Sequence, residues 1–174
     1  RQALAEDLGR GDITTNAILG QTGSSTADEI RFLATLIAKE NLVLAGWPIF
    51  IRVFQLLGEV EAELLCEEGA PVCSGDTVGR LEGKASLLLK GERVALNFMQ
   101  RMCGVATLTR SYVERVSHTQ AKVLDTRKTT PLWRALEKYA VRVGGGNNHR
   151  FGLDDGILIK ENHIAVAGGV REAI

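Results

Sequence analysis

Hydrophobic and polar residues at the start of the chain are arranged as in a helix followed by a turn. Residues 2–8 have the pattern of the last turns of a helix that ends at Gly9, because glycine adopts the left-handed conformation that often follows a helix. Asp12, Thr14 and Thr15 then indicate a structural turn in which side-chain oxygens bind backbone N–H groups. The chain is therefore expected to begin within a helix and to turn before its first strand.

Imperfect alternation of apolar residues between positions 29 and 85 predicts a small sheet with one helix. The helix is expected to start at Trp47 and Pro48, since proline has no N–H to satisfy in a first turn, and to end at Gly58. The strands are predicted within residues 29–46, interrupted by a turn at 39–41, and at residues 60–66 and 77–81.

Apolar residues recur at helical spacing from residue 87 to residue 117, which predicts one long and largely buried helix. Cys103 and the methionines beside it are interpreted as part of the core, because soft side chains are common in irregular cores. Glu92 and Arg93 lie near the start of this helix, and composition alone favours a solvated position for both.

The pattern changes after Thr119 to a strand, a helix and a second strand in quick succession. These elements are predicted at residues 123–124, at 132–141 after Pro131, and at 157–160. Such repetition implies a parallel sheet or a barrel, in which functional groups lie beyond the carboxyl ends of the strands. We therefore expect one domain over residues 1–117 and the start of a second over residues 118–174.

Composition excludes several classes of protein. The 174 residues are 45% apolar and 24% charged, enough for a sizeable core, and 21 basic residues balance 21 acidic ones. This balance argues against a global basic field for nucleic acid. The three cysteines lack C-x-x-C spacing, which argues against a disulfide framework or a zinc site. Because the sequence has neither an apolar run of bilayer length nor a signal-peptide pattern, we expect a cytoplasmic protein without a membrane partner.

Five cationic or cationisable groups follow the predicted strands or a glycine-rich loop: Arg127, Lys128, His149, Arg150 and Lys160. In a parallel sheet or a barrel these groups would converge, and unpaired cations held close together repel one another. Arginine and lysine match phosphate and carboxylate groups, so the cluster predicts a site for a polyanionic small molecule. The alternative is that nearby acids neutralise the cations on a solvated face; these acids are Asp125, Asp154, Asp155 and Glu161.

The glycine-rich loop comprises three consecutive glycines at residues 144–146, just before His149 and Arg150. Glycines at these positions would permit a close approach of the backbone to a ligand. The run does not match the G-x-x-x-x-G-K-[ST] phosphate loop, which disfavours a nucleotide triphosphatase. The residues alone therefore predict a polyanion-binding enzyme built from strand–helix units.

Four stretches of the chain resemble the quinolinate phosphoribosyltransferases: EDLGRGDITT at 6–15, ERVALNFMQRMCGVAT at 92–107, DTRKTTP at 125–131, and LEKYAVRVGGGNNHRFGLDDGILIKENHI at 136–164. The resemblance implies an α+β, sandwich-like N-terminal domain followed by the first part of an α/β barrel domain. It also implies a glycosyltransferase of the pentosyltransferase class that uses Mg²⁺. Such an enzyme converts quinolinate and phosphoribosyl pyrophosphate into nicotinate mononucleotide, carbon dioxide and pyrophosphate in de novo NAD biosynthesis.

The resemblance also implies roles for the cationic residues. Lys128 and Lys160 are expected to be catalytic. Residues expected to bind substrate are Arg93, Arg127, Lys128, His149, Arg150 and Lys160. Arg93 is expected to reach the active site of a neighbouring subunit, which replaces its interpretation as merely solvated and implies at least a homodimer.

The chain departs from the family pattern in two places. Asn147 stands where the family often has histidine, and Leu132-Trp133 replaces the more usual Gly-Leu. The family's acidic residues that help to hold magnesium lie on later strands of the barrel. We therefore expect no magnesium ligand within these 174 residues.

Three alternatives remain open beside this resemblance. A pyrophosphorylase-like protein associated with molybdenum transport shares the fold, although the intact LEKYAV and NHRFGLDDGILIK stretches favour the quinolinate enzyme. An inactive scaffold of the same fold is the second. The third, a nucleic-acid-binding module, is disfavoured because charge is balanced and only 5% of residues are aromatic.

Overall fold

The computed structural model describes residues 1–21 and 31–174, so residues 29 and 30 of the predicted sheet lie outside the described residues. The helices in the described residues are α1 Gln2–Leu8, α2 Ile13–Gln21, α3 Trp47–Gln55, α4 Ala85–Val116, α5 Arg134–Val143, α6 Glu161–Ala167 and α7 Val170–Ala173. The strands are β1 Arg31–Ile37, β2 Leu42–Val43, β3 Val60–Leu64, β4 Pro71–Val72 and β5 Thr77–Lys84. Among these helices, none combines the length and the apolar character needed to cross a membrane.

The N-terminal helix is confirmed, but the turn predicted at residues 11–15 is wrong in part, because Thr14 and Thr15 lie in α2. α1 is followed by Gly9, which has a φ of 50°. Asp12 accepts one hydrogen bond from the backbone N–H of Thr15 at 2.9 Å and another from the Thr15 hydroxyl. α2 begins directly after Asp12, so this side chain satisfies a donor in the first turn of a helix that the turn prediction did not include.

In the part of the chain that the structure describes, two antiparallel sheets form where a single small sheet was predicted. β5 lies between β1 and β3 in the larger sheet, and β2 pairs with β4 in the smaller one. α3 packs closely on the larger sheet, because a Cβ atom on Gly79 of β5 would lie only 2.8 Å from the indole ring of Trp47. α3 begins at Trp47 as predicted but ends at Gln55, before Gly58.

The long helix predicted from apolar spacing is α4, a continuous helix of 32 residues. Its buried face carries Met99, Met102 and Cys103, which are 4%, 1% and 6% exposed, so their interpretation as core residues is confirmed. Met102 also packs with Ala106 of α4 and Ala140 of α5 in a second apolar cluster. α4 therefore connects the core of the N-terminal region to the helix that carries the candidate site.

Neither of the strands predicted after Thr119 forms. Leu124 makes a single parallel bridge with Asn147, and residues 157–160 are irregular, with Ile157 95% exposed. The strand prediction for residues 157–160 is wrong because no strand in the described ranges pairs with this segment, and an unpaired extended segment gains no ladder hydrogen bonds.

The helix predicted between these two segments is confirmed as α5, which begins and ends two residues later than expected. The domain boundary predicted near residue 117 falls directly after the end of α4 at Val116 and stays a prediction.

Candidate active site

Two loops run side by side from the parallel bridge. We call residues 125–130 the first cationic loop and residues 147–151 the second cationic loop. The N–H of Asp125 donates to the carbonyl oxygen of Asn147 at 3.1 Å, and the N–H of Asn147 donates to the carbonyl oxygen of Val123 at 2.8 Å. Because the bridge is parallel, both loops leave it in the same direction. They carry four of the predicted site residues: Arg127, Lys128, His149 and Arg150.

A buried ion pair attaches both loops to α5. The Nζ atom of Lys138 lies 2.5 Å from Oδ1 of Asp125, and the two side chains are only 4% and 7% exposed. The side-chain amide of Asn148 donates to Oδ2 of Asp125 and, at 2.9 Å, to the carbonyl oxygen of Lys138. Asp125, Lys138 and Asn148 therefore cross-link the two cationic loops and the helix.

The same ion pair fixes the backbone of His149 on both sides. Its N–H donates to Oδ1 of Asp125 at 2.8 Å, and its carbonyl oxygen accepts from Nζ of Lys138 at 2.9 Å. The Nδ1 atom of the imidazole accepts a hydrogen bond from the backbone N–H of Arg150 at 2.7 Å. An accepting Nδ1 requires the proton of a neutral imidazole to lie on Nε2.

Arg134, near the start of α5, also contacts both cationic loops. Its Nε atom donates to the hydroxyl of Thr129 at 3.0 Å, and another guanidinium nitrogen donates to the carbonyl oxygen of Arg127 at 3.4 Å. The remaining nitrogen donates to the carbonyl oxygen of Phe151 at 3.1 Å. One planar side chain thus spans the gap between the two loops.

Glu137 anchors the end of the first cationic loop. Its carboxylate accepts hydrogen bonds from the backbone N–H of Thr130 at 3.1 Å and from its hydroxyl at 2.7 Å. Arg101 of α4 donates to the same carboxylate at 2.7 Å. Burial opposes ionisation of Glu137, but the hydrogen bonds from Arg101 and Thr130 outweigh it and lower the pKa of the carboxyl group.

The guanidinium groups of Arg127 and Arg150 differ in their hydrogen bonds within the chain. The Nε atom of Arg127 is buried and has no hydrogen-bond partner among the described residues. Arg150 donates to the carbonyl oxygen of Gly156 at 3.2 Å. With His149, it lines an open cleft of about 610 Å³ beside α5. Both arginines therefore retain N–H donors for a ligand.

The remaining predicted site residues lie further along the chain or on α4. Lys128 is exposed on the first cationic loop. Lys160 is exposed directly before α6, where its N–H donates to Nδ1 of His163 at 3.0 Å. Arg93 is exposed on α4. In the described part of the chain, no hydrogen bond or ion pair joins the side chain of Lys160 or Arg93 to the cationic loops.

Two of the four acids that could neutralise the cations, Asp125 and Asp155, have other partners, which weakens the alternative of a neutralised, solvated face. Asp125 pairs with Lys138, and Asp155 accepts a hydrogen bond from the N–H of Phe151 at 2.7 Å. Within residues 1–21 and 31–174, no ion pair involves any of four predicted site cations: Arg127, Lys128, Arg150 and Lys160.

The glycine run allows close packing within the chain, and the close approach of its backbone to a ligand stays a prediction. A Cβ atom on Gly144 would lie 2.5 Å from the carbonyl oxygen of Ala106, and one on Gly146 would lie 2.8 Å from Thr109. Gly145 has a φ of 92°, a conformation that favours glycine. The glycines are needed because the end of α5 crosses α4 at close range.

Sequence reasoning located the cations but missed the polar residues that hold them. Lys138, Arg134 and Glu137 all lie on α5, where a polar residue on an amphipathic helix is normally read as solvated. The sequence indicated Lys138 only indirectly. Asp125 follows an apolar segment, and a carboxylate buried there requires a cationic partner.

Family models match almost the entire chain. Residues 12–103 match the model described as quinolinate phosphoribosyl transferase, N-terminal domain, and residues 105–174 match the model described as quinolinate phosphoribosyl transferase, C-terminal domain. The two matches meet within α4.

Curated relatives agree with the family models. A protein from Synechocystis sp. named probable nicotinate-nucleotide pyrophosphorylase [carboxylating] is 45% identical over 100% of this chain and 57% of its own length. A protein of the same name from Bacillus subtilis is 47% identical over 97% of this chain and 56% of its own length. The chain therefore spans less than two thirds of these relatives.

Solved structures show the same architecture. NadC from Streptococcus pyogenes superimposes with a TM-score of 0.90 at 46% identity, over 99% of this chain and 60% of that protein. The nicotinate-nucleotide pyrophosphorylase from Francisella tularensis gives a TM-score of 0.89 at 40% identity, over 99% and 59%. These likenesses confirm the predicted fold class, an α+β N-terminal domain followed by the start of an α/β barrel domain.

Proposed function

Because the chain belongs to the quinolinate phosphoribosyltransferase family, we propose that the full-length product of its gene is the carboxylating nicotinate-nucleotide pyrophosphorylase of NAD biosynthesis. The enzyme would transfer the phosphoribosyl group of phosphoribosyl pyrophosphate to quinolinate. Decarboxylation then gives nicotinate mononucleotide, with carbon dioxide and pyrophosphate as the other products.

The observation that carries this proposal is the pairing of the two cationic loops without acidic partners for their cations. Quinolinate bears two carboxylates, and the phosphoribosyl donor bears a phosphate and a diphosphate. Recognition of both substrates is therefore mainly recognition of anions, for which arginine forks and lysine ammonium groups are suited. The buried, unpartnered Nε of Arg127 supports a ligand at this position.

We assign the quinolinate pocket to Arg127, His149, Arg150 and Lys160, with Lys128 nearby. The pyridine nitrogen attacks C1 of the ribose, and the bond from C1 to the diphosphate oxygen breaks with its electron pair leaving on pyrophosphate. Lys128 and Lys160 are the proposed catalytic cations, because positive charge near the departing oxygen stabilises the developing negative charge.

Decarboxylation follows from the first step. Once the pyridine nitrogen is quaternary, the bond between the ring and the adjacent carboxylate can break, since the positive nitrogen stabilises the electron pair left on the ring carbon. A proton then replaces the carboxylate, and carbon dioxide departs. Residues of the pocket contribute by orienting the carboxylate and by excluding water from it.

Magnesium is the cofactor that we propose, because Mg²⁺ commonly binds enzymes through substrate phosphates. In the ranges that the structure describes, no group of three or more His, Cys, Asp or Glu side chains is placed to hold a metal ion. The described residues therefore do not fit a magnesium site formed by the protein alone.

We further propose a cytoplasmic homodimer in which Arg93 reaches the active site of the neighbouring subunit. The exposure of Arg93 on α4, without a hydrogen bond to the cationic loops among the described residues, supports this proposal.

Calorimetric titration with quinolinate tests the assignment of the pocket. In the full-length gene product, Arg150→Ala and Lys160→Ala should each weaken quinolinate binding by about 10- to 100-fold, the loss expected when a hydrogen bond to a charged group is removed. Lys122→Ala is the control, since Lys122 is an exposed lysine outside the proposed pocket. Unchanged affinity in both site variants would exclude this pocket.

A further inference from the structure

We infer that Asp125, Lys138 and Asn148 form a positioning group that fixes the orientation of His149 for anion binding. These residues are not proposed to touch the substrate. The inference rests on the proposed function for the identity of the anion, a pyridine dicarboxylate. The geometry that supports it lies wholly within the described residues.

The contacts of the ion pair converge on one backbone unit. Asp125 accepts the N–H of His149, and Lys138 donates to its carbonyl oxygen, at 2.8 and 2.9 Å. Asn148, directly before His149 in the chain, is held to Asp125 and to the backbone of Lys138. Both peptide groups that flank the Cα atom of His149 are therefore fixed, and the direction of the side chain is constrained.

The constraint extends from the backbone to the imidazole ring. The N–H of Arg150 donates to Nδ1 of His149 at 2.7 Å, which leaves Nε2 of a neutral ring as the protonated nitrogen. A protonated Nε2 is a hydrogen-bond donor, as an anion requires. If the backbone of His149 were free to rotate, the contact with the N–H of Arg150 would be lost and both ring tautomers would be populated.

The burial of the ion pair indicates that it positions His149 and does not merely stabilise the fold. Lys138 and Asp125 are 4% and 7% exposed, and well-packed apolar residues at such positions are often as stabilising as a buried ion pair. Every side-chain hydrogen bond of this pair goes to the pair itself, to Asn148 or to His149. The charged pair therefore fixes the conformation of the second cationic loop through hydrogen bonds, which apolar side chains could not form.

Nitrogen-15 NMR of the histidine side chains tests the inference directly in the full-length gene product. The His149 signals are assigned by comparison with His149→Gln. The variants are Lys138→Met and the double variant Asp125→Asn with Lys138→Met, which leaves no unpaired buried charge if the single variant fails to fold. Lys122→Met is the control, because it removes an exposed lysine that lies three residues before Asp125 in the sequence. Thermal unfolding followed by circular dichroism verifies that each variant is folded.

The expected result is a single Nε2–H tautomer of His149 in the wild type and the control, and a mixture of tautomers in a folded Lys138 variant. Affinity for quinolinate should fall by about 10- to 100-fold in the same variant, the range produced by loss of a residue that orients a ligating histidine. Affinity for phosphoribosyl pyrophosphate should fall by less than the affinity for quinolinate.

Two outcomes would overturn the inference: an unchanged tautomer in a folded Lys138 variant, or a tautomer mixture with unchanged affinity for quinolinate. If the wild type shows the Nε2–H tautomer but binds no quinolinate, the proposed function fails, while the NMR comparison still decides whether the ion pair positions His149. The two proposals are therefore tested separately.

Discussion

The backbone of one residue, Leu132, is strained. Among the described residues it is the only one other than glycine with a positive φ, at 66°, and its side chain is 97% exposed. A side chain in the left-handed conformation costs roughly 1–2 kcal/mol, and so exposed a leucine gains little packing to offset this. The resemblance placed glycine at this position, and the structure gives the physical reason for that preference.

Replacement of Leu132 by asparagine should therefore stabilise the chain. Asparagine tolerates positive φ better than leucine, so Leu132→Asn is expected to raise the free energy of unfolding by about 0.5–1 kcal/mol. Urea unfolding measures the change. Leu153→Asn is the matched control, since Leu153 is 73% exposed and is not among the residues with positive φ. Equal changes in the two variants would contradict a role for strain.

At the scale of the elements, α5 is the support of the candidate site. Its polar side chains hold both cationic loops, while its apolar side packs on α4 through Ala140. The position of α5 depends on a close crossing at Gly144, where α4 leaves no room for a side chain. The placement of the cations is thus coupled to the packing of two helices.

Alanine substitutions at two glycines test this crossing. Gly144→Ala places a Cβ atom 2.5 Å from the carbonyl oxygen of Ala106 and 2.8 Å from Cβ of Thr109, and should destabilise the chain by about 1–3 kcal/mol because the helices must separate. Gly104→Ala is the control within α4, where a Cβ atom meets no heavy atom of the described residues within 4 Å. It should stabilise the chain by about 0.5–1 kcal/mol. Thermal unfolding should show a lower melting temperature for Gly144→Ala and a higher one for Gly104→Ala than for the wild type.

Local patterns predicted α1, α3, α4 and α5 but missed α2, α6 and α7, and they predicted the pairing of extended segments poorly. α4 was predictable because its buried face repeats at helical spacing over its whole length. Residues 157–160 have the apolar composition of a strand, but strand formation depends on a partner that local sequence does not specify. The brevity of β2 and β4, at two residues each, hid the smaller sheet for the same reason.

The candidate site was likewise predictable only in part. Its cations were predictable from their positions after apolar segments and from the DTRKTTP and NHRFGLDDGILIK stretches. The support beneath them was not, because the burial of Lys138 depends on Asp125, which approaches it only in the folded chain. Helical periodicity predicts that a polar residue such as Lys138 faces solvent, and this prediction fails when the residue forms a buried ion pair.

At the scale of the whole molecule, Glu68 joins the N-terminal region to α5. Its carboxylate accepts from the N–H groups of Gly46 and Trp47 at the start of α3, and from the hydroxyl of Tyr139 at 2.9 Å. Burial, together with the charge and hydrogen bond of Glu68, raises the pKa of Tyr139 to about 12. The phenol therefore stays protonated well into the alkaline range.

This raised pKa predicts a loss of stability at high pH. The folded pKa of Tyr139 lies above the ordinary phenol value of 10.0, so the stability contributed by its protonated hydroxyl is fully present below pH 10 and is lost as the pH rises through about 12. Tyr139→Phe should remove this part of the alkaline dependence and lower the free energy of unfolding at neutral pH by about 1 kcal/mol. Tyr112→Phe is the control, because Tyr112 is 55% exposed. The same alkaline slope in wild type and Tyr139→Phe, from denaturant unfolding at several pH values, would contradict the assignment.

One assay tests the proposed reaction most directly. The full-length gene product is incubated with Mg²⁺, phosphoribosyl pyrophosphate and quinolinate that carries an isotopic label in the carboxylate adjacent to the ring nitrogen. We expect labelled carbon dioxide and nicotinate mononucleotide in equal amounts, both dependent on phosphoribosyl pyrophosphate and both greatly reduced by Arg150→Ala. A folded protein that releases no labelled carbon dioxide, or releases it without forming the nucleotide, would contradict the proposed function.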